Sequence, residues 1–412
     1  MTRTDDFFKR SKAAQATLKH AILRSYLATF ATATGTRSPG HRVGYIDGYA
    51  GPGEYINDLT DSRDEGSPII AMNVARHQST LKEPRILECI FIERGREHYE
   101  SLSALVAQAR EEGLPVEAQK GDVTKLLAPA VQRFQSLPLL VFLDPFGASL
   151  PHSASIPAVL GRSSDQPTEV LLNFSVETLR RAGSRIHEEP GAPGREGTLS
   201  TMDNWLGGVW WREHFSDPAT VQDAETAYEP AERITDEYAR MVCRESRTNV
   251  FPVDIRRAAS HKPLFRLMLF HPKPLAAFKF NNAVSSGNEK WRSLMWEMDV
   301  ELAQREDARN PQPGISREEE TRMAMAADPA QVMDDNVEIL KDNIRTALRT
   351  RPVLTMEHDF GLIFGAATGS ARGTHLTKAW DALTEEGVTQ PRKGSSYDWA
   401  KIWSAQAGVS FS

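Results

Sequence analysis

The residues best placed to do chemistry lie in Arg42-Val43-Gly44-Tyr45-Ile46-Asp47-Gly48-Tyr49-Ala50-Gly51-Pro52-Gly53. A short apolar run ends at Asp47 and turns through Gly51 and Gly53, so a carboxylate and bare backbone would face one ligand. Glycine allows both the tight turn and the close approach. A second group is Asp144-Pro145-Phe146-Gly147, which follows the apolar run Leu139–Leu143. A carboxylate there can accept a hydrogen bond from an amino group. As a bare turn, Asp-Pro could equally be only a cap. Glu93 ends a third run, at the place where an acid hydrogen-bonds a ribose diol in nucleotide-binding α/β folds. Asp122 and Asn173 end two more.

Each of these residues needs a strand to end beneath it, and the intervening stretches supply a repeated strand–loop–helix order. Apolar residues at helical spacing, among them Leu18, Ile22, Leu23, Tyr26 and Phe30, predict a helix over 6–30. Lys19, His20 and Arg24 fall between them, either on a solvated face or near a substrate mouth. The first strand begins at Arg42. Residues 54–66 are polar and acidic and predict an inserted loop, beside a ligand site where loops often act as lids. Ser67 and Pro68 then look like an N-cap and first helical residue of a helix to Arg76. Strands follow at 86–93, 116–119, 139–143 and 169–174, with helices at 97–112, 124–135 and 152–161. Asp122 could N-cap the second of these or contact a ligand. The pattern predicts a doubly wound, Rossmann-like α/β domain whose ligand lies outside the carboxyl ends of the strands, where Asp47, Glu93, Asp122, Asp144 and Asn173 converge.

Residues 176–245 predict a helical insertion in which Trp205, Trp210, Trp211 and Phe215 form core or, alternatively, a base-stacking platform. Strands at 250–253 and 264–270 close the sheet, and a helix covers 274–284. Arg256 to Lys279 holds six Lys/Arg and no Asp or Glu, which makes it the best candidate for a phosphate-facing patch, or else a solvated basic edge. The first domain is expected over 1–300, a charged, proline-containing linker over 301–332, and a second domain over 333–412. Three helices and a hairpin turning at Lys393-Gly394-Ser395-Ser396 give that second domain the layout of a winged helix-turn-helix. Arg372, Lys378, Arg392 and Lys393 are offset there by Asp381, Glu385 and Glu386, so DNA and a protein are both open as partners.

Composition removes several classes. A net charge of −6 leaves no global pull toward phosphate backbones, so any nucleic-acid binding needs a local patch. No apolar run approaches the ~20 residues of a membrane helix, and the N-terminus lacks the apolar stretch of a signal peptide, so a cytoplasmic protein without a membrane is expected. Cys89 and Cys243, the only cysteines, make no disulfide framework and no metal site; both are expected as packing residues.

With Asp47 ahead of the loop and no third glycine after it, the first stretch resembles motif I of S-adenosylmethionine-dependent methyltransferases more than a dinucleotide fingerprint. Asp144 to Gly147 resembles the Asp-Pro-Pro-aromatic loop of amino-group methyltransferases, with Phe146 in place of the second proline and Gly147 in place of the ring. Together with Thr17-Leu18-Lys19-His20-Ala21-Ile22-Leu23, Tyr26, Gly66-Ser67-Pro68 and Asn173-Phe174-Ser175, these stretches make residues 7–300 similar to the three-Cys-motif partner proteins, and the terminal segment is similar to that family's tail. The resemblance implies a class I methyltransferase domain with S-adenosylmethionine as cofactor and a radical-SAM-like three-Cys-motif companion. It implies cofactor-binding roles for Asp47, Tyr49, Ala50, Gly51, Gly53, Glu93 and Asp122. Asp144, Pro145 and Phe146 would then be the catalytic positions, orienting an amino group of a nucleobase or nucleotide. A non-catalytic nucleotide-binding adaptor for DNA or a partner protein is the other expectation.

Overall fold

Apolar strands that end in polar residues form the core of the computed structural model. It describes residues 3–56, 63–154, 156–162, 165–223, 225–256, 260–310, 314–393 and 401–405. A long helix, α1 (Arg3–Gly35), precedes β1 (Arg42–Asp47), and a short antiparallel pair follows, β2 (Glu54–Ile56) with β3 (Arg63–Glu65). The expected loop over 54–66 is therefore replaced on its described residues by two paired arms; residues 57–62 lie outside the described set. Next come α2 (Ser67–Ser79), β4 (Ile86–Glu93), α3 (Arg96–Glu111), β5 (Val116–Lys120), α4 (Val123–Arg133), β6 (Leu139–Leu143), α5 (Ile156–Leu160) and β7 (Thr168–Ser175). The helix expected over 152–161 is a 3-10 turn at His152–Ala154 followed by α5. The insertion carries α6 (Val176–Gly183), α7 (Arg195–Leu206) and α8 (Tyr228–Ser246), and β8 (Asn249–Ile255) and β9 (Phe265–His271) complete the sheet.

The seven strands run in the order β5-β4-β1-β6-β7-β9-β8. The first five are mutually parallel, while β9 is antiparallel to both β7 and β8. Helices cover such a sheet on both faces, which is why β6 and β7 are buried along their whole length; β6 reads as a continuous apolar run, while β7 buries Thr168, Glu169, Asn173 and Ser175 beside its apolar residues. The order reverses at β1, which has β4 on one side and β6 on the other. Chains leaving the two sides diverge and open a crevice beyond Asp47. The insertion is core, not platform: Trp205, Trp211 and Phe215 are buried, and the Phe174 ring stacks on Trp205 at 4.4 Å and on Tyr238 at 5.0 Å. Cys89 is buried and Cys243 only partly so.

Two compact units divide between Lys273 and Pro274, not at a 301–332 linker. The helix expected over 274–284 continues as α9 (Leu275–Arg309), and α10 (Arg317–Leu348) starts inside the expected linker behind a Ser316–Glu319 capping box. Charge in 301–332 marks solvated helix faces, because few of these side chains pack against a core. The second unit continues with β10 (Val353–Thr355), α11 (Met356–Phe364), α12 (Gly373–Glu385) and β11 (Lys401–Trp403). β10 pairs antiparallel with β11, and Thr389 bridges to Ser404, so the arms of the expected hairpin do meet; residues 394–400 lie outside the described set. Leu340, Ile344, Phe364, Leu376, Trp380 and Ile402 share its core with Phe278.

Because each unit has its own apolar cluster, a chain ending at Lys273 is expected to fold alone. It should show one cooperative thermal transition and a mixed α/β far-UV spectrum. A cut near 325 should instead give an insoluble product, since it removes Leu340 and Ile344 from beside Phe278. An insoluble 1–273 chain would show that the first unit depends on the second.

Candidate ligand site at the switch point

Asp47 ends β1 with its side chain fully buried. Oδ1 accepts a hydrogen bond from the Tyr49 amide at 3.1 Å, and Oδ2 has no partner. Burial pushes this carboxyl up to about 7, and bonds from the Ser67 hydroxyl and the Tyr49 amide offset part of that rise. Ser67 does not cap α2, whose N-cap is Gly66; it is the buried first residue of that helix. An unpartnered buried carboxylate oxygen costs on the order of 1–3 kcal/mol or more, a cost that a cationic or donor-bearing ligand would relieve.

The loop after Asp47 is tied to both neighbouring strands. The Gly48 amide donates to Phe142 O at 2.9 Å and the Ala50 amide to Ile92 O at 3.0 Å. Gly51 and Gly53 sit at φ 65° and 89°, a left-handed conformation that favours glycine. The Gly51 amide donates to Glu93 Oε2 at 2.9 Å, and the Gly95 amide donates to Glu93 Oε1 at 2.5 Å. Glu93 thus shapes the loop as well as ending β4.

Asp144 stands just past β6. Its Oδ2 accepts from Lys19 Nζ at 2.6 Å, and its Oδ1 accepts from Asn173 Nδ2 at 2.6 Å. Two side chains, not two backbone amides, hold it, so each oxygen keeps acceptor capacity. Pro145 is buried and offers no side-chain surface, whereas the Phe146 ring is 88% exposed. Asp122 accepts from the Thr124 amide at 2.9 Å as the N-cap of α4, and those Thr124 bonds hold its carboxyl below the ordinary value. The cap alternative for Asp122 is thus realised; its remaining oxygen lies 3.6 Å from Arg94.

Tyr49 and Tyr55 show how closely these groups converge. Burial raises the Tyr49 phenol to about 12, with Asp122 and Asp144 adding to the rise. Tyr55 is also raised to about 12, by desolvation of its hydroxyl and then by Asp47, Asp144 and Glu93, although the residue as a whole is 44% exposed. The Tyr55 hydroxyl lies so close over Gly51 that a Cβ there would sit 2.3 Å from it. Sequence reasoning missed Tyr55, an aromatic residue in a polar stretch, and took Ser67 for a cap. It left Lys19 undecided, and the structure puts Lys19 on Asp144. Arg24 is ion-paired with Glu65 of β3, which ties α1 to the hairpin. His20 between them is lowered to about 4, by burial and then by Lys19, and is a neutral imidazole near pH 7.

The basic stretch does not stand free. Arg266 bonds Asp254, Asp236 and Glu232, Arg256 bonds Asp254, and Lys262 lies 3.6 Å from Glu225; residues 257–259 are outside the described set. In the second unit Arg372 pairs with Glu289 and Arg392 with Asp381. Among the described residues no cluster of His, Cys, Asp and Glu could hold a metal ion, and no helix is long and apolar enough to cross a membrane.

No protein-family model and no curated protein matches the chain. Among solved structures, TYW2 of M. jannaschii in complex with AdoMet is 8% identical, with 58% of this chain and 72% of that chain covered and a TM-score of 0.26. The plantazolicin methyltransferase BamL, solved with SAH, is 11% identical over 65% of this chain and 88% of that one, at a TM-score of 0.27. SCL7 of Oryza sativa is 12% identical over 65% and 83%, at 0.33. At TM-scores of this size the likenesses decide neither ligand nor activity.

Proposed function

We propose that the chain is an S-adenosylmethionine-dependent methyltransferase acting on an amino group of a nucleobase or nucleotide. The observation that carries this reading is the buried Asp47 carboxylate, with Oδ2 unpartnered, beneath a loop that Gly51 and Gly53 hold in left-handed conformation. Asp47 and the Gly51–Gly53 backbone would hold the methionine end, Glu93 the ribose, and the free capacity of Asp122 the adenine. When bound, the cofactor supplies an electrophilic methyl group. This chain's residues do the positioning: Asp144 accepts a hydrogen bond from the acceptor's amino group, and the exposed Phe146 ring stacks on its base. Pro145, being buried, is left with a role in shaping the turn.

Calorimetry tests the cofactor: heat with S-adenosylmethionine or S-adenosylhomocysteine and none with NAD is expected, and the reverse pattern overturns the reading. Tyr55 lies over Gly51 on the β2–β3 hairpin, so Tyr55→Ala should release S-adenosylhomocysteine roughly tenfold faster, with the association rate little changed. Stopped-flow dissociation checks this, and an unchanged off-rate would mean that the hairpin is no cover.

For the second unit we propose a winged helix-turn-helix, supported by the order α10, β10, α11, α12 and the β10–β11 pairing. A radical-SAM-like three-Cys-motif companion is proposed on the sequence resemblance, and co-purification from co-expressing cells tests it. A second reading, the non-catalytic adaptor, is favoured by one observation: both Asp144 oxygens already have partners. Cofactor binding without turnover in the presence of that companion would select it.

A further inference from the structure

We propose that Lys19 is a specificity-determining residue. Its ammonium and the Asp144 carboxylate form a donor–acceptor pair that reads an amino group next to an unprotonated ring nitrogen, as in cytosine and adenine, and discriminates against an analogue in which that nitrogen is replaced by C–H. The inference rests on the methyltransferase reading only for the kind of acceptor, a nucleobase amine.

The pair is built, not casual. Lys19 Nζ lies 2.6 Å from Asp144 Oδ2, the Lys19 side chain is 14% exposed and the Asp144 side chain 26%. The ammonium also sits 5.7 Å from the centre of the Phe265 ring, so a carboxylate and an aromatic ring fix it from two sides. Asp144 is fixed in turn by Asn173, 1% exposed, which donates to Oδ1 at 2.6 Å. The Asn173 Oδ1 has no partner, so its amide is oriented by Asp144.

An ammonium has three donors and no acceptor, and a carboxylate is an acceptor only. A base approaching Asp144 with its amino group meets the Lys19 ammonium alongside. If the neighbouring ring atom is a bare nitrogen, it accepts from Lys19, and both groups are satisfied. If it is C–H, the ammonium is left without an acceptor in a partly buried place from which its water has been displaced. A site with fixed polar groups rejects the ligand that leaves one of them unpaired much more strongly than an apolar pocket rejects a misfit.

The test is a chemical cycle with the full chain, saturated with S-adenosylhomocysteine so that nucleosides cannot report on the cofactor pocket. Cytidine and 3-deazacytidine, and adenosine and 1-deazaadenosine, are titrated by NMR; within each pair the amino group is kept and the ring nitrogen becomes C–H. In the wild-type chain, for at least one pair, the deaza change should weaken binding about tenfold or more. In Lys19→Met the deaza ratio should fall to about twofold or less, while Lys19→Arg should keep most of it. A deaza ratio near one in the wild-type chain overturns the proposal, and needs no variant to fold. So does a ratio that Lys19→Met leaves intact, which would make Lys19 only a counter-ion for Asp144. Binding of S-adenosylhomocysteine with no nucleoside bound sinks this inference and spares the cofactor reading. Absence of S-adenosylhomocysteine binding sinks the cofactor reading, and the cytidine pair then judges Lys19 alone.

Discussion

Asp144→Asn is expected to lower methyl transfer at least a hundredfold while leaving S-adenosylmethionine affinity within about twofold. In the native chain each Asp144 oxygen accepts from a different donor, Lys19 Nζ and Asn173 Nδ2, both at 2.6 Å. An amide must present its own NH₂ to one of those donors, so the group either swings away or is pushed out of line. Acceptance from the target amine is lost with it, and so is the alignment worth several powers of ten in such reactions. The cofactor should not feel the change, because Asp47, Glu93 and the Gly51–Gly53 turn hold their own bonds without Asp144. Transfer of a labelled methyl group to nucleic acid, with and without the companion protein, supplies the rate, and calorimetry supplies the affinity. Turnover within about threefold of wild type would reduce Asp144 to a cap on the Pro145 turn.

Long, strongly patterned elements were legible because strand periodicity and terminal acids recur together. β4 and β6 begin and end where their apolar runs do. The convergence of Asp47, Glu93 and Asp144 also followed from topology, since a strand's last residue lies on the same rim as its parallel neighbours' last residues. What stayed hidden depends on contacts across large sequence separation. Lys19 and Asp144 lie 125 residues apart, and nothing local distinguishes a lysine on a solvated face from one on a carboxylate. Ser67 fits an N-cap by type and position, yet the cap is Gly66 and Ser67 is the buried first residue of α2. The β2–β3 pairing is hidden for another reason: three-residue arms carry too few alternating positions to show a period. The unit boundary was misplaced because solvated faces of α9 and α10 have the composition of a linker, and composition does not distinguish an exposed helix from an unfolded segment.

Asp47→Asn should move stability and affinity in opposite directions, each with its own pH dependence. Burial raises the Asp47 carboxyl from 3.8 to about 7, so between those values the folded chain keeps a proton that the unfolded chain has released. Stability from this group is therefore full below about pH 4, falls as pH rises through the window, and levels off above 7. Asparagine has no such dependence, so the variant's stability relative to wild type should climb with pH by up to about 1.4 kcal/mol per unit across the window. Glu169, buried and also raised to about 7, titrates in the same range, but it is common to both proteins and cancels in the difference. Cofactor affinity should run the other way. The ligand's ammonium stays charged throughout and needs the ionised carboxylate, so wild-type affinity should rise toward pH 7 and then flatten. The variant should be flat and weaker, by roughly 1.5–3 kcal/mol for the lost charge-assisted bond. Thermal unfolding and calorimetry from pH 5 to pH 8 separate the two effects. A variant that lost stability and affinity together would show Asp47 to be a structural acid satisfied by Ser67 and Tyr49. Its unpartnered Oδ2 would then be no mark of a ligand, and the site would have to be sought nearer Asp144.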